Sequence, residues 1–88
     1  MELYKSVIRR YLSEYARSLR EKRGLTQAEM AERLRITERA YSDLERGVYC
    51  FSTVPLVSLL LMLKSDEFEE FIEPLRGEIA KLEAGEVA

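Results

Sequence analysis

Thr26 and Gln27 follow directly on Gly24-Leu25, and a second hydroxyl residue, Thr37, opens a stretch carrying Glu38, Arg39, Ser42, Asp43 and Arg46. If each threonine starts a helix, the first amides of that helix have no partner within it. They form a site that suits an anion such as a backbone phosphate. Two short helices joined by a tight turn are the unit that lays its second helix in the major groove of DNA. The chemistry on offer is recognition, not bond making.

Bond-making chemistry has little to work with. The chain has no histidine and one cysteine, Cys50. Imidazole acid–base catalysis, Ser-His or Cys-His nucleophiles and zinc sites of the usual ligand sets therefore fall away. No glycine-rich phosphate loop is present. The pairs Asp66-Glu67 and Glu69-Glu70 are read as a solvated face, because adjacent acids on a helix point in different directions. No enzymatic activity, metal or cofactor is expected. Cys50 cannot form an intrachain disulfide, which fits a reducing cytoplasm, and it is read as a small apolar filler.

The elements that must position these residues announce themselves locally. Thr26 with Glu29 three residues on is a capping box. Met30, Ala31 and Leu34 then form one apolar face, with Glu29, Glu32 and Arg33 toward water. The helix should stop near Leu34. Thr37 is a second N-cap; Ala40, Tyr41 and Leu44 point inward from its helix, and Gly47 closes it.

This stretch resembles the Cro/CI-type helix-turn-helix family, the XRE or lambda repressor-like group. The resemblance runs without gaps from about Tyr11 to Leu63. It includes Leu19-Arg20, Arg23-Gly24-Leu25-Thr26-Gln27, Met30-Ala31, Ile36-Thr37, Tyr41-Ser42, Leu44-Glu45-Arg46-Gly47, and then Leu56, Leu59 and Leu63. It implies an all-α domain of four core helices, to which the C-terminal residues add a helical appendage. It also implies roles. Gln27 would clamp a phosphate and brace the start of the recognition helix. Base-edge contacts would come from Thr37, Glu38, Arg39, Ser42 and Asp43. Of these, Arg39 could grip guanine O6 and N7, and Glu38 or Asp43 could accept from cytosine N4. Thr26, Arg46 and Arg35 would lie near phosphates. Arg20 and Glu45 would form a structural ion pair that fixes the recognition helix.

Against that pattern, Arg35 stands where the family usually has a glycine in the turn, and a side chain in a left-handed conformation is strained by roughly 1 kcal/mol. Val48-Tyr49-Cys50 replaces a usually basic loop, and Phe51 replaces a proline. With Glu38 and Asp43 on the recognition helix, each change points to weaker DNA attraction. Tyr49 and Phe51 suggest an aromatic contact with the fourth helix or across a dimer.

Around this unit, residues 3–23 read as one long helix with an apolar stripe from Leu3 to Leu19. Its first ten residues precede the family's usual start and would lengthen the helix or form a short separate one. Val54 to Leu63 is apolar almost all round, so it should be buried on two sides. Ser52 or Thr53 caps it, and Pro55 sits in its first turn. The second side needs a cover, either the C-terminal segment or a second subunit. Ser65 is read as the cap of the last region. Phe68, Ile72, Leu75, Ile79 and Leu82 then repeat at heptad spacing, with Pro74 expected to kink or split the helix. With Leu61 and Met62, these residues are the expected homodimer interface; the alternative is that the stripe folds back onto its own domain. The chain thus divides into residues 1–10 as an extension, 11–64 as the helix-turn-helix domain and 65–88 as a dimerisation segment.

Net charge is −2, but it is unevenly spread. Residues 1–47 hold eleven Lys/Arg against eight Asp/Glu, a net of +3, and the remainder is −5. Phosphate attraction depends on the local face. No basic segment leads into a long apolar run at the start, so no signal peptide is expected. The longest apolar run is about half a bilayer span. The expectation is a cytoplasmic, sequence-specific DNA-binding regulator, a small dimeric repressor on a palindromic double-stranded operator, with no membrane contact. The alternative is an antitoxin or protein-interaction module on the same scaffold, with a protein partner and weak or no DNA binding.

Overall fold

The structure is a computed structural model that describes residues 2–85; Met1 of the extension and residues 86–88 of the C-terminal segment lie outside the described residues. Five helices make up the described chain: α1 (Glu2–Lys22), α2 (Gln27–Leu34), α3 (Glu38–Glu45), α4 (Thr53–Leu61) and α5 (Ser65–Glu83).

Residues 2–10 lengthen α1, which is one continuous helix. Leu12, Ala16 and Leu19 are its buried stripe. Gly24, at φ +65°, turns the chain out of the helix, and the Leu25 amide closes the turn on the Arg20 carbonyl at 3.0 Å. Thr26 then starts α2 as a full capping box: its hydroxyl accepts from the Glu29 amide at 3.1 Å, and the Glu29 carboxylate accepts from the Thr26 amide at 2.8 Å.

Leu34 ends α2, and Arg35 takes the left-handed conformation at φ 63°, ψ 39°. The Thr37 hydroxyl accepts from the Ala40 amide at 3.1 Å and starts α3. The Val48 amide reaches back to the Asp43 carbonyl at 2.9 Å, with Gly47 at φ +77° allowing the reversal.

The core joins all five helices. Met30, Ala31, Leu34, Tyr41, Leu44 and Leu59 close around the α1 stripe. Phe51 joins them from the loop between α3 and α4 at 8 % exposure, whereas Tyr49 stays 62 % exposed. Of the two aromatics, Phe51 packs on its own chain.

Three expectations are corrected. First, the N-cap of α5 is Lys64, not Ser65. The Glu67 carboxylate accepts from the Lys64 amide at 3.0 Å, so the third helical residue provides the cap without the serine hydroxyl. Glu67 is accordingly buried, unlike its exposed neighbours Asp66, Glu69 and Glu70. Second, Pro74 neither splits nor ends α5. A helical proline leaves the carbonyl four residues back without its amide. Here the Tyr11 hydroxyl donates to the carbonyl next to that one, Phe71, at 2.5 Å and ties the proline segment to α1.

Third, α4 is not buried on two sides within this chain: of the two covers expected for it, α5 is not one. Instead, α5 runs back along α1, with Glu67 at Lys22 and Phe71 at Tyr11. Phe71 is the anchor, buried at 3 % and edge-on to Tyr15 at 4.7 Å between centroids. It lies one residue off the heptad seam, which is why that pattern misses it. On α4, Pro55, Ser58 and Leu59 are buried. Val54, Val57 and Leu61 stay open, Leu61 at 75 % exposure. Burial of α4 within this chain is therefore one-sided.

Candidate nucleic-acid interface

The site is built around the end of α3. Glu45 is nearly buried, its side chain 6 % exposed. Arg20 of α1 donates to both of its oxygens at 2.9 Å. The Tyr41 hydroxyl one turn earlier donates to it as well, and so does the side-chain amide of Gln27 at 3.2 Å. Arg20 also donates to the Leu25 carbonyl at 3.0 Å. Three side chains, from α1, α2 and α3, thus meet at one carboxylate through four hydrogen bonds, which fixes the angle between the two helices of the motif. Such an arrangement suits buried charge, since each ion has both a partner and further hydrogen bonds.

The electrostatics follow from that packing. Burial pushes the Glu45 carboxyl up, but the hydrogen bonds from Arg20, Tyr41 and Gln27 outweigh it and leave it below the usual range. Burial, together with the same carboxylate, holds the Tyr41 phenol well above its ordinary value. Glu45 therefore stays ionised and Tyr41 stays a donor.

The outer side of this scaffold is a shallow groove of about 440 Å³ lined by Gln27, Glu38, Arg39, Ser42, Asp43 and Arg46. Six of the candidate contact residues are thus brought together. Glu38 and Arg39 are exposed in the first turn of α3, whereas Ser42 and Asp43 are half-buried in the next. Arg46 is drawn back onto Asp43 as an ion pair. The groove holds two arginines and two acids, so it is electrically balanced.

The other three candidates lie differently. The Thr26 and Thr37 hydroxyls are engaged as helix caps. Thr37 also lines a neighbouring groove of about 410 Å³ with Arg39, Asp43, Tyr49 and Cys50. The Arg35 guanidinium is turned to α4, where it donates to the buried Ser58 hydroxyl at 2.9 Å. It is therefore separate from the six-residue groove.

Two short helices with a left-handed turn between them are the features of a helix-turn-helix, and here Arg20 of α1 braces the second of them through the Glu45 carboxylate. A helix-turn-helix family model matches residues 17–66, more than half of the chain. The chain belongs to the Cro/CI-like helix-turn-helix family. No curated protein and no solved structure gives a significant match. The all-helical fold agrees with the lambda repressor-like architecture, and the family is one of DNA-binding regulators. In helix-turn-helix proteins the second helix of the pair lies in the major groove; the corresponding element here is α3, and the half-buried Gln27 stands beside it at the start of α2.

The residues named for a dimer are not all alike. Leu61 and Phe68 are exposed. Met62, Ile72 and Leu75 pack partly on the chain's own core. Ile72, Leu75 and Ile79 also line an open apolar groove of about 460 Å³, and Leu82 is half-buried farther along α5. Sequence reasoning missed Tyr41 as a polar member of the brace, reading it as core alone. Its signal was the four-residue spacing to Glu45, which puts the two on one helical face. No helix among the described residues is long and apolar enough to cross a membrane.

Proposed function

We propose that this helix-turn-helix protein is a sequence-specific transcriptional repressor that acts in the cytoplasm as a homodimer on a palindromic operator. The observation that carries the reading is the groove on α3: Arg39 stands exposed in the first turn, beside a Gln27 braced on Glu45. Arg39 would take guanine O6 and N7, Glu38 or Asp43 a cytosine amino group, and Ser42 and Thr37 further edge contacts. Gln27, with the free amides of α2 after Thr26, would hold a phosphate, and Arg46 another. Arg35 has a smaller part in this reading, because its guanidinium is occupied at Ser58.

Dimerisation is supported by the open apolar face of α4 and the first turn of α5. Val54, Val57, Leu61 and Phe68 are all at least 40 % exposed. A second copy would cover that face and extend along Met62, Ile72, Leu75, Ile79 and Leu82. Two-fold symmetry would then set two half-sites about one helical turn apart. The domain division follows: residues 11–64 read DNA, 65–88 contribute to the interface, and the 1–10 extension, described from Glu2, lengthens α1.

The balanced charge of the α3 groove favours one second reading, an antitoxin or protein-interaction module on the same scaffold. A titration against the protein's own upstream DNA, at two salt concentrations and with unrelated DNA as control, separates the two. A repressor binds the upstream DNA preferentially, more weakly as salt rises, and loses the preference in Arg39→Ala. Absence of any preference at low salt overturns the repressor reading in favour of a protein partner.

A further inference from the structure

A second, larger groove of about 800 Å³ adjoins the α3 groove and shares Gln27 and Arg46 with it. From there it runs along α1 past Arg17 and Arg10 to Arg9 and Ser6. These α1 residues recur at three and four, so they form one stripe on the helix. Arg10 and Arg17 are separated by about 10 Å of helix at 1.5 Å per residue, a distance equal to about three 3.4 Å steps along the axis of a DNA duplex. Arg9 and Arg10 precede the residues that match the family model, 17–66.

The charge of this groove is not balanced. Arg20 and Glu45 neutralise each other at its floor. Arg17 leans on Glu21 at 3.5 Å, a pair in which both side chains are more than half exposed and which a phosphate can displace at little cost. Arg9 and Arg10 take part in none of the ion pairs formed among the described residues. Glu14 is the one further acid in the lining. The floor is low where Gly47 passes Ser13, whose hydroxyl is held by the Arg10 carbonyl at 2.9 Å.

We infer that the exposed stripe of α1 from Arg9 to Arg17 is a phosphate-binding ledge for the DNA backbone flanking each half-site, with Arg9, Arg10 and Arg17 as its contacts. The inference rests on the DNA-binding reading above and adds to it the source of attraction that the neutral α3 groove lacks. A DNA strand held at Gln27 and Arg46 would pass directly onto the ledge. Because phosphates carry no sequence information, the ledge contributes affinity and not preference.

The test is a salt titration of the full chain and its Arg9→Ala/Arg10→Ala double variant, on the upstream duplex and an unrelated one. Both positions are at least partly solvent-accessible, so circular dichroism should give the same melting curve as the parent. The variant is expected to bind both duplexes about tenfold more weakly at low salt. Its log–log salt slope should be shallower by about two, at nearly one per lost phosphate contact. The ratio of upstream to unrelated affinity should be unchanged, and Arg9→Lys/Arg10→Lys should restore the slope. A parent that binds with a preference, paired with a variant of unchanged slope, overturns the ledge alone. A parent that binds neither duplex overturns the DNA-binding reading and the ledge with it.

Discussion

The Arg35 guanidinium donates to the Ser58 hydroxyl at 2.9 Å while its own backbone sits at φ 63°. The residue that strains the turn between α2 and α3 is also the one that ties that turn to α4. A left-handed non-glycine residue costs about 1 kcal/mol. A hydrogen bond to an otherwise buried hydroxyl returns a similar amount.

Arg35→Ala keeps the strain and loses the bond, so it should destabilise by about 1 kcal/mol. Arg35→Gly loses the bond but relieves the strain, and should be about 1 kcal/mol more stable than the alanine variant. Urea denaturation of the three proteins measures this. A glycine variant no more stable than the alanine variant would show that the turn carries no strain.

Glu45→Ala should be the most damaging single change at the motif. It leaves Arg20, whose side chain is 17 % exposed, without its counter-ion, and strips Tyr41 and Gln27 of their acceptor. A loss of about 3 kcal/mol is expected, the low end for a broken buried pair because Arg20 keeps some access to water. In a domain of this size that lowers Tm by roughly 10 °C or more. An unchanged Tm would mean that the brace does not hold α3.

Glu67 should give the protein an acid-sensitive step. Its bond from the Lys64 amide, with Arg23 and Lys22 beside it, holds its carboxyl down at about 2. Arg23 meets it at 2.6 Å and Lys22 at 3.1 Å. A depressed carboxyl stabilises the fold above its unfolded value near 4.5. That stability is lost as pH falls through about 2. Glu67→Gln should therefore be less stable than the parent at neutral pH, with the gap closing between pH 4.5 and 2. Thermal melts of both proteins across that range test it, and a gap independent of pH would exclude the carboxylate as the source.

Asp43→Asn should strengthen DNA binding. It removes an acid from the α3 groove and frees Arg46 from its ion pair. With its competing carboxylate gone, Arg46 meets its phosphate more fully, which steepens the salt slope by up to about 0.9. Fluorescence anisotropy at several salt concentrations would reveal it. A weaker complex would instead mark Asp43 as a base contact.

Leu61→Glu should turn the proposed dimer into a monomer without unfolding it, because Leu61 is 75 % exposed in the single chain. Sedimentation velocity of parent and variant decides. A parent that is already monomeric at micromolar concentration would leave the α4 face to another protein.

The two middle helices could be read almost residue by residue from the sequence. Thr26 with Glu29, Thr37 and Gly47 act through bonds that reach no farther than five residues, so local composition suffices to place them. What α5 does could not be read this way. Heptad spacing selects Phe68 and Ile72, but the helix is anchored by Phe71 on Tyr15 and held through Pro74 by the Tyr11 hydroxyl. Those partners lie more than fifty residues away in the chain.

The same division runs through the site. Gln27 and Arg39 could be named from the family resemblance, which matches them to positions beside two helix starts. Only the folded chain decides that Gln27 leans on Glu45, that Arg35 turns to Ser58, and that Arg9 and Arg10 continue the groove past the motif. Helix starts and stops are local choices made by caps and turn residues. Which charged side chains meet, and which are left facing water, depends on how the helices pack, because that packing alone sets the distances between residues far apart in the chain.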